Sequence, residues 1–283
     1  MANNTAEVIE VTDNPQLEAA LQYAANGFAV FPVHKIVGKD KKCSCFKGED
    51  CKSAGKHPAV DGWPELATTN PEQIRVWFET IYKGYNIGIL LGNDLVCLDI
   101  DINEDKAKDG FTKVAAFEEE LGKLPQTATQ TSGSGGRHYL YRTTQPLGRH
   151  VTKDPNSPWY GLDVLSGSSF IVAAPSVNAN GQYVWDSENL PEKADVTLLP
   201  DNWNVRLLEV VSQTSTSGRE RNGKAARKGL CQQLLSELPE VDTTFGVDDE
   251  TFSKWNLDYH GLPVVVRMVL KGILGSRFLV QSS

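Results

Sequence analysis

Asp99 and Asp101 are the only charges in the apolar run LVCLDIDI, Leu95 to Ile102. A strand places alternate residues on one face, so both carboxylates point the same way from an otherwise buried segment. Paired buried carboxylates repel each other and lose hydration unless a cation joins them. An oxygen-only donor set suits Mg²⁺ or Mn²⁺. The competing reading is a strand that ends at the surface with two solvated acids. Asp163, in YGLDVLSG, is also isolated in a short apolar run. Two ions about 3.5–4 Å apart would clamp the attacking and leaving oxygens of a phosphoryl transfer. In that reading Asp99 and Asp101 bridge both ions and Asp163 completes the set; taken alone, Asp163 also fits a strand-end turn.

The stretch SGSGGRHYLY, Ser132 to Tyr141, adds a Gly-rich turn followed at once by Arg137 and His138. Glycines let phosphate approach backbone N–H groups closely. His138 would donate to a triphosphate oxygen, and Arg137 would offset phosphate charge. A flexible hairpin loop with a surface histidine is the plainer alternative. The third constellation is CSCFKGEDCKSAGKHP, in which Cys43, Cys45, Cys51 and His57 form a closely spaced three-Cys, one-His set. Such a set matches a closed tetrahedral Zn²⁺ site whose metal supplies the folding energy of a loop poor in apolar residues. Four protein ligands leave no position open for zinc catalysis. Gly218 to Lys224, GRERNGK, has P-loop spacing, but Ala225 follows where a Mg²⁺-binding hydroxyl is required.

The elements that must position these residues follow from patterning. Pro15 to Asn26 reads as a helix stopped by Gly27, and Phe28 to Val33 as a strand. Asn70 caps a helix that begins at Pro71 and runs to about Ile81. Ile87–Leu91 and Leu95–Ile102 read as two strands joined by a tight turn at Gly92-Asn93-Asp94. A helix is expected over Asp109–Leu121, and a Thr, Ser and Gly-rich loop over Pro125–Gly136. Strands are expected over His138–Arg142, Leu162–Leu165, Phe170–Ala174 and Tyr183–Trp185. These give an α/β (α+β) domain with a mixed, partly antiparallel sheet. The domain should cover residues 1–211, with a zinc loop over 35–64. A linker over 212–222 should lead to a mainly helical segment over 223–283.

Composition bounds the function. The chain has 283 residues, 40% hydrophobic, and a formal net charge of −8. That charge argues against coating duplex DNA by bulk electrostatics, but not against a local basic groove. Arg219, Arg221, Lys224, Arg227 and Lys228 form one basic run, read first as a solvated helix face. No run of about 18 apolar residues exists, and the polar N-terminus does not read as a signal peptide. A cytoplasmic protein is expected, and clustered cysteines there favour metal over disulfide. Cys97 and Cys231 read as small core residues.

The three constellations occur in an order that resembles the bifunctional DNA primase/polymerase N-terminal domain, a branch of the archaeo-eukaryotic primase superfamily. The resemblance spans roughly Leu17 to Trp185. It rests on Asp99-x-Asp101, on Gly135-Gly136-Arg137-His138, on Asp163 followed by FIVAAPS (Phe170 to Ser176), and on the Cys43, Cys45, Cys51, Gly55-Lys56-His57-Pro58 insert. It implies an RRM-like catalytic sheet packed beside a smaller α/β unit. It implies template-directed nucleotidyl transfer in the replication of plasmids, phages or other mobile elements. Asp99, Asp101 and Asp163 would hold two Mg²⁺ or Mn²⁺ ions; Gly135, Gly136, Arg137, His138 and Ser176 would contact the nucleotide. Partners would be a single-stranded DNA template or primer-template, nucleoside triphosphates and a replicative helicase. Leu165 stands where many relatives carry a basic residue, so that phosphate contact would fall to Arg137 or Lys56. The alternatives are a non-catalytic zinc-containing nucleic-acid-binding module of a replication initiator, and a two-metal nuclease.

Overall fold

The computed structural model describes residues 14–187 and 190–215. The segment expected over 223–283, with Cys231 and the basic run, lies outside the described residues, as do the linker positions beyond 215.

The first helix, α1 (Pro15–Ala25), starts where Asn14 accepts a hydrogen bond from the Leu17 N–H, with proline at the first position. Strand β1 (Val30–Val33) follows. The Cys-rich insert contains two short strands, β2 (Ile36–Val37) and β3 (Lys42–Cys43), and leads to the one-turn helix α2 (Trp63–Leu66). Asn70 then caps α3 (Pro71–Arg75) through the Glu72 and Gln73 N–H groups, and the helix continues as a π-helical turn over Val76–Ile81. Next come β4 (Asn86–Ile100), β5 (Ile102–Asn103), β6 (Lys108–Asp109) and α4 (Gly110–Leu121), the last capped by Asp109. The described residues continue with β7 (Ala128–Thr131), β8 (Arg137–Arg142), β9 (Leu162–Ala173), β10 (Val184–Trp185) and α5 (Asp201–Ser215). Helix α5 carries the chain four residues past Val211, through part of the expected linker. No helix among the described residues is long and apolar enough to cross a membrane.

Strand β4 is the axis of the sheet. Strand β9 runs along one edge of it, from Ile87↔Ala173 to Ile100↔Leu162. The other edge is shared end to end by β1 (opposite residues 86–89) and β8 (opposite residues 95–100). Strands β7 and β10 extend the sheet beyond β8. Every ladder between these strands is antiparallel, so the mixed sheet expected from the sequence is corrected; a parallel pairing among the described residues is the isolated bridge Arg142↔Leu198.

Two further expectations change. Gly92-Asn93-Asp94 is not a hairpin turn but an interruption inside one continuous strand. The register passes from Gly92↔Gly167 directly to Val96↔Ser166, leaving three β4 residues unmatched. Gly92 (φ +63°) and Gly167 (φ +62°) face each other there and supply the left-handed backbone the irregularity needs. For the same reason the two short strands expected over 162–174 are one. The Thr-rich part of the expected 125–136 loop forms β7.

On one face, Val96, Leu98 and Ile100 of β4 pack with Leu162 and Val164 of β9, Val114 and Phe117 of α4, and Trp203, Leu207 and Val210 of α5. The opposite face of the same strands is left to other residues.

Candidate active site and metal centre

Cross-strand partners in a sheet point to the same face. The registers Gln130↔His138, His138↔Asp99 and Asp99↔Asp163 therefore line up one row across β7, β8, β4 and β9. This row lies on the face opposite the α4–α5 core. Asp101, two residues beyond Asp99, is fixed where its N–H donates to the Gly161 carbonyl and its carbonyl accepts from Gly110 N–H. The three aspartates and His138 line a cleft of about 430 Å³, joined by Ser132 and Ser134 of the Gly-rich turn, Lys56, Trp63 and Arg149.

The row has a defined hydrogen-bond polarity. Gln130 is fully buried; its carbonyl oxygen accepts from Ala174 N–H, and its amide nitrogen donates to the Val172 carbonyl. The amide orientation is thereby set, and Gln130 Nε2 donates to His138 Nδ1 at 2.8 Å. With Nδ1 accepting, the ring proton of neutral His138 sits on Nε2, which lies 3.4 Å from Asp99 Oδ1.

The electrostatics are uneven. Burial first, and then the charges of Asp99 and Asp101, push Asp163 up to about 7. Burial also acts to raise Asp99, but His138 beside it, helped by Lys56 and Lys108, holds its carboxyl below the usual range. Lys108 Nζ lies 2.6 Å from Asp101 Oδ2, and these neighbouring acids outweigh burial to raise the lysine. Asp163 Oδ1 is buried with no hydrogen-bond partner. An orphaned carboxylate oxygen beside two further carboxylates fits a hard divalent cation such as Mg²⁺ or Mn²⁺. The trio is open: with one Asp101 oxygen on Lys108, the three do not gather their oxygens within 4.8 Å, as the Cys-rich cluster does its donors.

That cluster is Cys43, Cys45, Cys51 and His57, whose donor atoms all lie within 4.8 Å of one another. His57 Nε2 is 3.4 Å from both Cys43 Sγ and Cys51 Sγ. Tetrahedral Zn²⁺ spaces such donors by less than about 4 Å, so a small contraction closes the site. Burial lowers His57, which favours the neutral ring that a ligand must be. His34 packs on His57 at 4.4 Å and bonds Ser44 Oγ through Nδ1, giving the ligand side chain a fixed backing. Asn86 ties the loop to the sheet by donating to the carbonyls of Gly55, His34 and Val177.

The fold thus brings together Asp99, Asp101, Asp163 and His138, and separately Cys43, Cys45, Cys51 and His57. It does not bring Arg137 into the cleft. Arg137 alternates with His138 on β8, pairs with Asp186 and lines a different cavity of about 780 Å³ with Tyr139 and Tyr141. Ser176 is fully buried and its hydroxyl accepts from Ile87 N–H, a structural role. The Gly135-Gly136 turn closes on itself through Gly135 N–H to Ser132 O and Ser132 N–H to Gly136 O. Gly136 is glycine because a Cβ there would stand 2.4 Å from the Ile100 carbonyl. The Gly135 and Ser132 N–H groups are thus engaged within the turn, which lines the cleft through Ser132 and Ser134. Sequence reasoning missed Gln130, Lys108 and Arg149. Strand alternation about β7 could have raised Gln130; nothing local marks the other two.

A family model described as bifunctional DNA primase/polymerase, N-terminal, matches residues 20–202, well over half of the chain. No curated protein matches it. The matched span takes in the carboxylate row, the Gly-rich turn and the Cys₃His loop together, and the chain belongs to the bifunctional DNA primase/polymerase N-terminal domain family.

Proposed function

We propose that the cleft carries out template-directed nucleotidyl transfer, as a DNA primase and DNA polymerase. The observation that carries this reading is the row His138–Asp99–Asp163, with an orphaned Asp163 oxygen at its end. In the reaction a 3′-hydroxyl oxygen bonds to the α-phosphorus of a nucleoside triphosphate and the bond to pyrophosphate breaks. Asp99, Asp101 and Asp163 would hold two Mg²⁺ or Mn²⁺ ions, which supply Lewis-acid stabilisation of the attacking and leaving oxygens. Asp163 must first lose the proton that burial favours. His138, with its Nε2 proton set by Gln130, donates to the triphosphate. Lys56 and Arg149 line the cleft and make no ion pair among the described residues, so they take the phosphate-offsetting role first expected of Arg137. Ser132 and Ser134 supply hydroxyls beside Gly135 and Gly136. Cys43, Cys45, Cys51 and His57 would hold structural Zn²⁺.

The sheet with α4 and α5 on its apolar face is the RRM-like half of the catalytic domain, which extends through α5. Family resemblance supports a setting in the replication of plasmids, phages or other mobile elements in the cytoplasm. It also supports single-stranded DNA or a primer-template as substrate, and a replicative helicase as partner.

The test is extension of a labelled primer-template with Mn²⁺ or Mg²⁺ and each class of nucleoside triphosphate. The parent should extend and the Asp99→Ala/Asp101→Ala variant should not. Equal product from both, or template binding without extension by the parent, would refute the assignment. Products that form without nucleoside triphosphates would indicate a nuclease instead.

A further inference from the structure

Phe46 is 95% exposed, far more than any other large hydrophobic residue among those described. It follows Cys45 directly, at the tip of the Cys₃His loop, and contributes nothing to the core. Leaving such a ring in water forgoes about 2 kcal/mol of burial. A lone exposed ring is common on protein surfaces, and it is the charge around this one that points to a ligand. Residues 35–57 contain seven lysines and three acids, a net charge of +4 within a chain of −8. Lys47 Nζ lies 5.7 Å from the Phe46 ring centroid. Lys39, Lys47, Lys52 and Lys56 make no ion pair among the described residues, whereas Lys42 is paired with Glu49 and Asp40. A protein-docking patch is built on contiguous apolar area with charge depleted at its centre. A single ring among free ammonium groups is instead the pattern that binds single strands, with bases stacked on the aromatic and cations along the backbone. The loop is also continuous with the cleft: Lys56, one residue before His57, lines the same wall as Asp99 and Asp163.

We infer that the Cys₃His loop is a docking surface for single-stranded DNA at the mouth of the cleft, with Phe46 as a base-stacking platform and Lys39, Lys47 and Lys52 as phosphate contacts. The surface would hold the strand that the cleft copies, so naming its ligand as DNA rests on the nucleotidyl-transfer reading.

The experiment is fluorescence anisotropy of a labelled oligo-dT strand with the full chain, without nucleoside triphosphates. Phe46→Ala should weaken binding by about fivefold to 150-fold, the range for one stacked base. Phe46→Trp should retain affinity and lose tryptophan emission on binding. Lys47→Ala/Lys52→Ala should flatten the dependence of log affinity on log salt by about 0.7 per lost contact. The zinc content and thermal melt of each variant should match the parent, because the substituted side chains are on the surface. Unchanged oligo-dT binding by Phe46→Ala overturns the proposal, as does a parent that does not bind the strand at all. Capture of a protein partner that Phe46→Ala abolishes, with DNA binding intact, would give the surface a different occupant and overturn it too. The outcome is separable from the catalytic reading. A parent that binds DNA through Phe46 but extends nothing refutes only the catalysis. A parent that extends primers while Phe46→Ala binds as before refutes only the docking surface.

Discussion

Replacing Asp163 with asparagine should make the metal-free protein more stable at alkaline pH and remove most of the stabilisation that divalent metal gives. Burial, then Asp99 and Asp101, raise the folded-state pKa of Asp163 to about 7, against an ordinary value of 3.8. Between these values the folded chain keeps a proton that the unfolded chain has lost. Stability therefore falls as pH rises through this window, and the full cost is present above pH 7. Three pKa units correspond to about 4 kcal/mol, and solvent screening of this half-buried side chain lowers that to about 2–4 kcal/mol. Asparagine keeps the shape and does not ionise. From about pH 5 to about pH 8.5 the parent should lose about 2–3 kcal/mol more than the variant, or roughly 5–10 °C in Tm. Thermal melts of zinc-loaded protein, with and without added Mn²⁺, measure both effects. Mn²⁺ should raise the parent's Tm more at the higher pH, where the ion no longer competes with a proton, and should barely move the variant. Parallel pH profiles for parent and variant, or equal stabilisation of both by Mn²⁺, would show that Asp163 neither carries the raised pKa nor faces the metal.

Three other perturbations separate the parts of the site. Gln130→Met should remove the donor that fixes the His138 ring and raise the nucleotide KM about tenfold or more, with template affinity unchanged. Steady-state kinetics at varied triphosphate checks this, and the scale follows from about 1–3 kcal/mol for one buried hydrogen bond. Lys108→Met should free Asp101 Oδ2 and tighten Mn²⁺ binding several-fold, read by calorimetry, while lowering metal-free stability by about 1 kcal/mol because the pair is partly exposed. Cys51→Ser should lower bound zinc and open residues 35–64 to proteolysis while leaving the apolar core resistant.

The chemistry was legible where one short segment carries it. Asp99 and Asp101 stand out because acids on alternate positions of an apolar strand have few explanations, and the Cys₃His set is declared by its spacing. Arg137 was misplaced although the rule that corrects it is local: neighbours on a strand face opposite ways, so the residue before a cleft-facing His138 turns to the other face. Gly92-Asn93-Asp94 has the composition of a turn, and a strand irregularity asks for the same residues. Only the partner strand, with Gly167 opposite Gly92, decides between them. Gln130 could have been raised by alternation along β7, but its place beside His138 follows only from the β7–β8 pairing, and nothing local marks Lys108 or Arg149. Lys108 in particular comes from the charged stretch EDKAKDG, which reads as solvated surface.

What holds mutually repelling carboxylates side by side is the opposite face of the same strands. Leu98 and Ile100 of β4 and Leu162 and Val164 of β9 are fully buried. Burying each contributes roughly 1.5–3 kcal/mol, so the four together exceed the few kcal/mol that placing Asp163 beside Asp99 costs. The alternation that buries these four also fixes the acids, since a one-residue slip of β9 would turn Asp163 into the core and Leu162 or Val164 into the cleft. The three unmatched residues after Gly92 make this local. Along β4, residues 86–89 answer to β1 and residues 95–100 to β8, and the irregularity takes up the mismatch between them. The register of the carboxylate row is therefore set by the apolar residues interleaved with it.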